Sequence, residues 1–489
     1  MVGVPTKAGK YEQKANGEWT EIPGFNDGRG NGESEVPKAV VTPEKNVAIF
    51  YSAARNGNGN GPVGNESTLF NNVGSAVPNG VYSILDGYSH KTPLVSNRQF
   101  DSVRNEKELM QHLMDPSLFG IASGRKPSGP CHFGHRLVIE TISFFQNNGA
   151  YVFMPLADNE AELDHKIKEK KQYRYYVADN LLDWGASGLD LVAAHAYLQS
   201  EEMRVMNVAY AAARQLNLEA AIDIYGRSTV ADEMNFLFAS MSQVGDILLP
   251  QHPDFGRKHS FMLSGPDQDG NMKMTMELST RMIESGDLRY VKSAPSSLYV
   301  KSVSDLSGKK ESASETDTTI YLGPSRNRYE HGKKGKRLEQ IDKLTLQMRK
   351  EDTRMKVEKF VEVDKKTVLE AIARRKPLFA EYASEKEIGI DRFIDITSEI
   401  LTVHQKRREA VYEYAAHSAL DEIKGNGEKS AYDYLVASAQ NVIPGFDPDT
   451  SAIKPHFWNA PANAVIPADK KSASTPWYSL ITSVRDLMI

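Results

Sequence analysis

Between residues 98 and 303, short apolar runs of strand length alternate with longer runs of helical period, and few architectures accommodate that pattern. The runs 119–122, 151–156, 220–225, 259–263 and 297–303 read as strands. Helices are expected at 106–114, 159–184, 199–216, 230–245 and 271–285. Strands separated by helices of this length pair in parallel, with crossovers covering both faces, so the expected fold class is α/β with a doubly wound parallel sheet. Ligands of such sheets sit beyond the carboxyl ends of the strands. After residue 328 the strand signal stops. Helices at 338–349, 365–374 and 386–423 follow, the last with Ile390, Phe393, Ile394, Ile400 and Leu401 as a core stripe.

The ends of the chain differ from this middle. Residues 1–95 are rich in Gly and Pro, with the run Arg55-Asn56-Gly57-Asn58-Gly59-Asn60-Gly61-Pro62. Candidate strands there are 39–41, 47–51 and 81–85. Beyond residue 425 a short helix near 431–439 gives way to Pro-rich sequence carrying Phe457, Trp458, Trp477 and Tyr478. The resulting division is an extension at 1–95, an α/β domain at 96–328, a helical domain at 329–425 and a tail at 426–489. No apolar run reaches the roughly 20 residues a membrane span requires, and the first residues are too polar for a secretory signal. One cysteine, Cys131, excludes an internal disulfide framework and a multi-cysteine metal site, which fits a reducing cytoplasm. A net charge of −5 leaves nucleic-acid contact to local basic patches. Those are Lys166, Lys168, Lys170, Lys171 and Arg174; Arg326, Arg328, Lys333, Lys334, Lys336 and Arg337; and Lys406, Arg407 and Arg408.

Four motifs fall at expected strand ends. Pro127-Ser128-Gly129-Pro130-Cys131-His132-Phe133-Gly134-His135 opens a helix that Gly149 closes. A helix N-terminus favours phosphate, Gly134 permits close approach to the backbone, and two imidazoles can donate to phosphate oxygens. The same residues also suit an ordinary helix cap. Ser264-Gly265-Pro266-Asp267-Gln268-Asp269 follows the strand 259–263 and offers Asp267, Gln268 and Asp269 at the ligand edge, or an N-cap. Leu156-Ala157-Asp158-Asn159-Glu160-Ala161 places Glu160 at that edge, with the same capping alternative. Gly308-Lys309-Lys310-Glu311-Ser312-Ala313-Ser314 is a polar loop whose lysine could swing over a triphosphate, or a solvated surface run.

The order of these motifs resembles class I aminoacyl-tRNA synthetases, specifically the archaeal form of tryptophanyl-tRNA synthetase. His132-Phe133-Gly134-His135 is similar to the HIGH signature, Gly265-Pro266-Asp267-Gln268-Asp269 to the G-x-D-Q-D element, and Lys310-Glu311-Ser312-Ala313-Ser314 stands at the KMSKS position. Gln243-Val244-Gly245-Asp246-Ile247-Leu248-Leu249-Pro250-Gln251, Thr319-Ile320-Tyr321-Leu322 and His404-Gln405-Lys406-Arg407-Arg408-Glu409 fit the same family. The similarity covers roughly residues 96–425. Glu311 replaces the methionine of KMSKS, and Glu315 stands where a lysine is common. Both add negative charge beside a loop expected to meet a triphosphate.

The resemblance implies a Rossmann-like catalytic domain followed by an anticodon-binding helical domain. It implies a tryptophan–tRNA ligase that forms tryptophanyl-adenylate from L-tryptophan and ATP and transfers the acyl group to tRNA(Trp). His132, Gly134, His135, Lys310, Ser312 and Ser314 would bind ATP, with His132, His135 and Lys310 catalytic. Glu160 and Gln268 would bind tryptophan. Magnesium would arrive with ATP, with no dedicated protein metal site. A cytoplasmic homodimer without membrane or DNA partners is the implied setting. Glu311 and Glu315 motivate the alternative, a catalytically weakened paralogue serving as a tryptophan or nucleotide sensor or an RNA-binding regulator.

Overall fold

A computed structural model of the protein describes residues 11–13, 19–21, 74–163, 170–217 except 192, residues 221 and 224, 234–322 except 314 and 316, and 338–425. The chain divides into two compact units, Met1–Asn65 and Glu66–Ile489. In the first, β1 (Tyr11–Gln13) and β2 (Trp19–Glu21) pair antiparallel, Tyr11 opposite Glu21. The strands expected at 39–41 and 47–51 lie outside the described residues.

The second unit is built on a seven-stranded sheet. Its strands are β3 (Ser75–Ala76), β4 (Phe100–Arg104), β5 (Phe119–Ala122), β6 (Tyr151–Leu156), β7 (His195–Leu198), β8 (His259–Ser264) and β9 (Ser296–Val300). They lie in the order β3-β4-β9-β8-β5-β6-β7. The five strands from β9 to β7 are mutually parallel, while β3 and β4 close one edge antiparallel. The chain leaves β5 on one side for β6 and β7, then returns on the other for β8 and β9. The switch point therefore falls between β5 and β8, where an open α/β sheet forms its ligand crevice.

Alternation along the strands sorts the two faces. Phe119, Ile121, Val152, Met154, Phe261, Leu263, Leu298 and Val300 enter one core, whereas Phe153, Met262 and Tyr299 point to the opposite side. The first face is covered by α1 (Asn79–Asp86), α2 (Pro93–Ser96), α3 (Glu106–Leu113) and α4 (Phe133–Asn147), through Val81, Leu94, Leu109 and Phe145. After the short α5 (Asp158–Leu163), α6 (Lys170–Ala186) joins that face through Val177 and Leu181. The other face carries α7 (Met203–Ala213), α8 (Met234–Leu248) and α9 (Asp269–Glu284), packed through Val205, Val208, Val244 and Met274. Burying each such large apolar side chain stabilises the fold by roughly 1.5–3 kcal/mol.

Three expectations need correction. The run at 81–85 is helical, not a strand: Val81, Tyr82 and Leu85 share the buried side of α1, which Pro78 precedes and Gly87 ends. Of the strand expected at 220–225, Ala221 and Ile224 are the described residues, and both are helical, with Ala221 packed beside Val208 and Met241. The strand between β6 and β8 is β7, only four residues long, and Gln199 extends its ladder by donating to the Leu156 carbonyl (3.1 Å). The helix expected over 159–184 is divided into α5 and α6, with 164–169 outside the described residues.

Beyond the sheet come α10 (Leu338–Arg375), α11 (Ala380–Ala383) and α12 (Ile390–Gly425). The helices expected at 338–349 and 365–374 are joined in α10, interrupted at Asp364, which leaves helical geometry (φ −151°, ψ 80°). Asp364 accepts the Thr367 N–H (3.1 Å) and hydroxyl (2.7 Å), so an N-cap is set inside the rod. The helical region docks on α6 by a buried polar seam. His404 Nε2 lies 2.8 Å from Asp183 Oδ1, and Arg408 pairs with both Asp179 and Asp183. The helix expected at 431–439 and the aromatic residues of the tail lie outside the described residues.

Candidate active site

The carboxyl ends of β5, β6, β7, β8 and β9 bring the sequence motifs together. Past β5 the chain stays against the end of β6: Arg125 N–H donates to Pro155 (3.1 Å) and Ala157 N–H to Arg125 (2.9 Å). A Cβ on Gly124 would stand 2.1 Å from the Pro155 carbonyl oxygen, so only glycine permits this approach. Arg125 then ties down the turn, its guanidinium reaching the Gly129 carbonyl (3.1 Å) and Cys131 Sγ (2.8 Å).

That turn delivers His132 as the N-cap of α4. His135 Nδ1 accepts the His132 N–H (3.2 Å), and the two rings are 3.7 Å apart between centroids. The Gly134 N–H lies 3.1 Å from His132 Nδ1 and 2.9 Å from Glu311 Oε2. The capping expectation and the functional one therefore coincide on the same residues. Burial lowers the pKa of both histidines. Glu311 opposes the shift at His132, whereas Arg125, His132 and Lys310 deepen it at His135.

The loop after β9 folds into a small hairpin in which Glu311 N–H donates to Val303 (2.8 Å) and Asp305 N–H to Lys309 (2.7 Å). Gly308 turns it with φ +82°. Lys310 Nζ then lies 2.7 Å from Asp267 Oδ1, joining this loop to the one after β8. Burial opposes ionisation of Asp267, yet Lys310 and Gln268 hold its carboxyl below the ordinary value. Both partners are more than a third exposed, so the pair contributes little stability and is readily exchanged for another anion. Gln268 donates to Asp267 Oδ2 (3.1 Å) and accepts from the Asn271 amide (2.9 Å). The Ser312 carbonyl accepts the Thr319 hydroxyl (2.8 Å). Ser314 lies outside the described residues.

Glu311 is turned inward, not to solvent. Its side chain is 1 % exposed and its Oε1 lies 2.7 Å from Arg375 Nη2, itself 1 % exposed, at the end of α10. Burial would raise the Glu311 pKa, but Arg375 and His132 bring it below the ordinary value. The negative charge that departs from the KMSKS pattern is thus neutralised inside the protein.

Glu160, at the start of α5, is buried. Its Oε2 accepts from the Gln243 amide (2.7 Å) and lies 3.7 Å from Lys126 Nζ, while Gln199 approaches Oε1 (3.4 Å). Gln199 also donates to Asp246 (2.7 Å), which accepts the Tyr197 hydroxyl (2.8 Å). Burial raises the Asp246 pKa well above the ordinary carboxylate value, and neighbouring Glu160 adds to the shift. Gln199, Gln243 and Asp246 were not singled out for a role in the sequence. Gln199 directly follows β7, a strand too short to register in the sequence, and Gln243 and Asp246, three apart on α8, share the face turned to Glu160. Asp269 is committed elsewhere: it pairs with Arg104 and accepts from Tyr299 (2.9 Å) and Lys273 (3.0 Å).

Of the basic patches, the residues at 166–174 and 326–337 have no described side chains. In the third, Lys406 is exposed, but Arg408 is buried in the α6–α12 seam and is no surface contact. Glu108, His112 and His259 are the described residues that gather metal-ligand types. The two imidazoles stack 4.1 Å apart at 9°, so their in-plane lone pairs run parallel instead of converging. Ser293 and Ser296 occupy the nitrogens of His259 (2.9 and 2.7 Å). Among the described residues no helix is long and apolar enough to cross a membrane.

A mostly parallel sheet with a histidine-capped helix at its switch point, a lysine loop opposite and a helical region behind is the architecture of a class I aminoacyl-tRNA synthetase. The family model described as tRNA synthetases class I (W and Y) matches residues 117–386, more than half of the chain, and the chain belongs to that family. It is 30 % identical over 234 residues to the tryptophan–tRNA ligase of Aeropyrum pernix, covering 47 % of this chain and 58 % of that one. It is 32 % identical over 222 residues to that of Methanopyrus kandleri, covering 45 % and 57 %. The chain thus spans less than two thirds of the length of these relatives. The tryptophanyl-tRNA synthetase of Encephalitozoon cuniculi bound to tryptophan shares the fold, with TM-score 0.53 at 16 % identity over 70 % of this chain and 94 % of that one.

Proposed function

We propose that this protein is a tryptophan–tRNA ligase, activating L-tryptophan with ATP and transferring it to tRNA(Trp). The observation that carries this reading is the convergence at one sheet edge of His132 and His135, Lys310 with Asp267, and the buried Glu160. An α-phosphate near the α4 N-terminus would meet His132 and His135, with Gly134 leaving room for the nucleotide. Lys310, with Ser312 and Ser314, would leave Asp267 and bind the β- and γ-phosphates, stabilising pyrophosphate as it departs. Magnesium would enter with ATP. In-line attack by the tryptophan carboxylate then needs positioning more than covalent chemistry.

Glu160 and Gln268 flank the space expected for the amino acid. The Glu160 carboxylate, held by Gln243, suits the α-ammonium or the indole N–H, and a buried acceptor disfavours side chains that cannot donate to it. The helical region from α10 onward would carry anticodon recognition, and a cytoplasmic homodimer is the expected working form. The inward turn of Glu311 supports an active enzyme over a weakened sensor, because its charge is spent on Arg375 and Gly134.

ATP–pyrophosphate exchange with tryptophan and with tyrosine in parallel is the test. Exchange with tryptophan alone is expected. Exchange with tyrosine alone would overturn the specificity, and exchange with neither in folded protein would favour the sensor reading.

A further inference from the structure

Glu311 presents one carboxylate to four neighbours from three segments. Oε1 faces Arg375 Nη2 (2.7 Å) and the Ile320 N–H (3.4 Å); Oε2 faces the Gly134 N–H (2.9 Å) and His132 Nδ1 (3.3 Å). Arg375 is fixed in turn by the Ser304 carbonyl (2.8 Å from Nη2) and by the face of Phe133. The Gly134 N–H is shared between His132 Nδ1 and Oε2, and with Nδ1 unprotonated the two acceptors turn lone pairs toward each other at 3.3 Å. A proton on Nδ1 removes the conflict: Nδ1–H and Gly134 N–H then both donate to Oε2.

We propose that Glu311 is a positioning residue that holds His132 in its Nδ1–H tautomer, so that phosphate binding at Nε2 draws a proton onto the ring. The inference rests on the nucleotide-binding reading of this edge. With Nδ1 protonated, Nε2 is bare on the ring edge away from the carboxylate and has no hydrogen to offer an anion. It becomes a donor only as imidazolium, which the carboxylate behind it stabilises. Burial keeps the ring neutral until the anion arrives. The other charged or titratable groups around His132 are Arg125 after β5, Lys310 on the loop and His135 on α4, with Arg375 behind Glu311. Arg125 and Lys310 disfavour the imidazolium, and a bound phosphate counters them. A methionine at 311 would leave Nδ1 to accept from Gly134 and Nε2–H to donate as the neutral ring, so no proton would be taken up.

Two measurements on the full chain test this. Nitrogen-15 NMR of labelled imidazoles, with His132 assigned by comparison with His132→Asn, should show Nδ1 protonated and Nε2 bare without ligand; the opposite tautomer overturns the proposal. Titration calorimetry with ATP–magnesium, tryptophan absent, in buffers of differing ionisation enthalpy should show net uptake of about one proton above pH 7. Glu311→Gln turns an amide N–H toward Nδ1 and should abolish that uptake while weakening ATP roughly tenfold, the loss expected when a charge-assisted hydrogen bond becomes a neutral one. If Glu311→Gln does not fold, the paired removal Glu311→Met with Arg375→Met leaves no buried charge and carries the same expectation. ATP binding without proton uptake, or uptake unchanged in these variants, overturns the role of Glu311 and leaves the nucleotide site intact. Absence of ATP binding by folded protein overturns the nucleotide site itself, while the NMR result still judges the tautomer.

Discussion

At the scale of single residues, the site separates groups that hold from groups that exchange. His132, Glu160 and Glu311 are buried and multiply bonded, whereas Lys310 is partly exposed and paired with a partly exposed carboxylate. Lys310→Ala should therefore lower ATP–pyrophosphate exchange by about 100-fold, the scale of one lost transition-state donor, while tryptophan affinity measured by calorimetry changes little. Equal losses in both would assign Lys310 to ground-state binding. Asp269, offered by the sequence as a ligand-edge group, instead ties β4, β9 and α9 through Arg104, Tyr299 and Lys273. Asp269→Ala leaves Arg104 with a lost partner and should destabilise the protein by about 3 kcal/mol, read as a lower urea midpoint. Sequence spacing could not separate Asp267 from Asp269, since two acids flanking Gln268 differ only in which loop or strand each one meets.

At the scale of elements, the strong periodicities were legible and the short or polar transitions were not. The helix opening at His132 and closing at Gly149 was read directly, because cap, apolar stripe and glycine agree. β7 escapes the sequence pattern because four residues, His195-Ala196-Tyr197-Leu198, carry too few alternations to register, while within the apolar run at 220–225 Ala221 is helical and packs against Val208 of α7 and Met241 of α8. The break in α10 was legible as two helices, and Asp364 explains why they meet there. Asp364→Ala should cost about 1 kcal/mol, the usual value of an N-cap, with helical content reduced only modestly by circular dichroism.

At the scale of the whole molecule, the edge that gathers the motifs and the helical region share buried charge. Arg375 reaches from α10 to Glu311, and His404 and Arg408 reach from α12 to Asp179 and Asp183 on α6. Burial lowers His404 to about 4 despite the opposing carboxylate of Asp183, and burial with His112 nearby lowers His259 to about 3. An unfolded histidine titrates near 6.5, so the unfolded chain binds these protons first. The stability due to neutral His404 and His259 is complete above about pH 6.5 and is lost progressively as pH falls toward their folded values. The melting temperature should decline between pH 7 and 5, and His404→Asn should flatten that decline; an unchanged slope would remove His404 as a contributor.

The parallel α/β order, the four motif loops at strand ends and the helical region after them follow from the sequence, because period, caps and turn residues are local properties that need no partner to be read. The direction in which Glu311 points, the choice between Asp267 and Asp269, and the burial of Arg408 were decided only by tertiary structure. A charge in a sequence looks solvated until a second charge, distant along the chain, is packed against it, and neither Arg375 for Glu311 nor Asp183 for Arg408 is marked by any spacing.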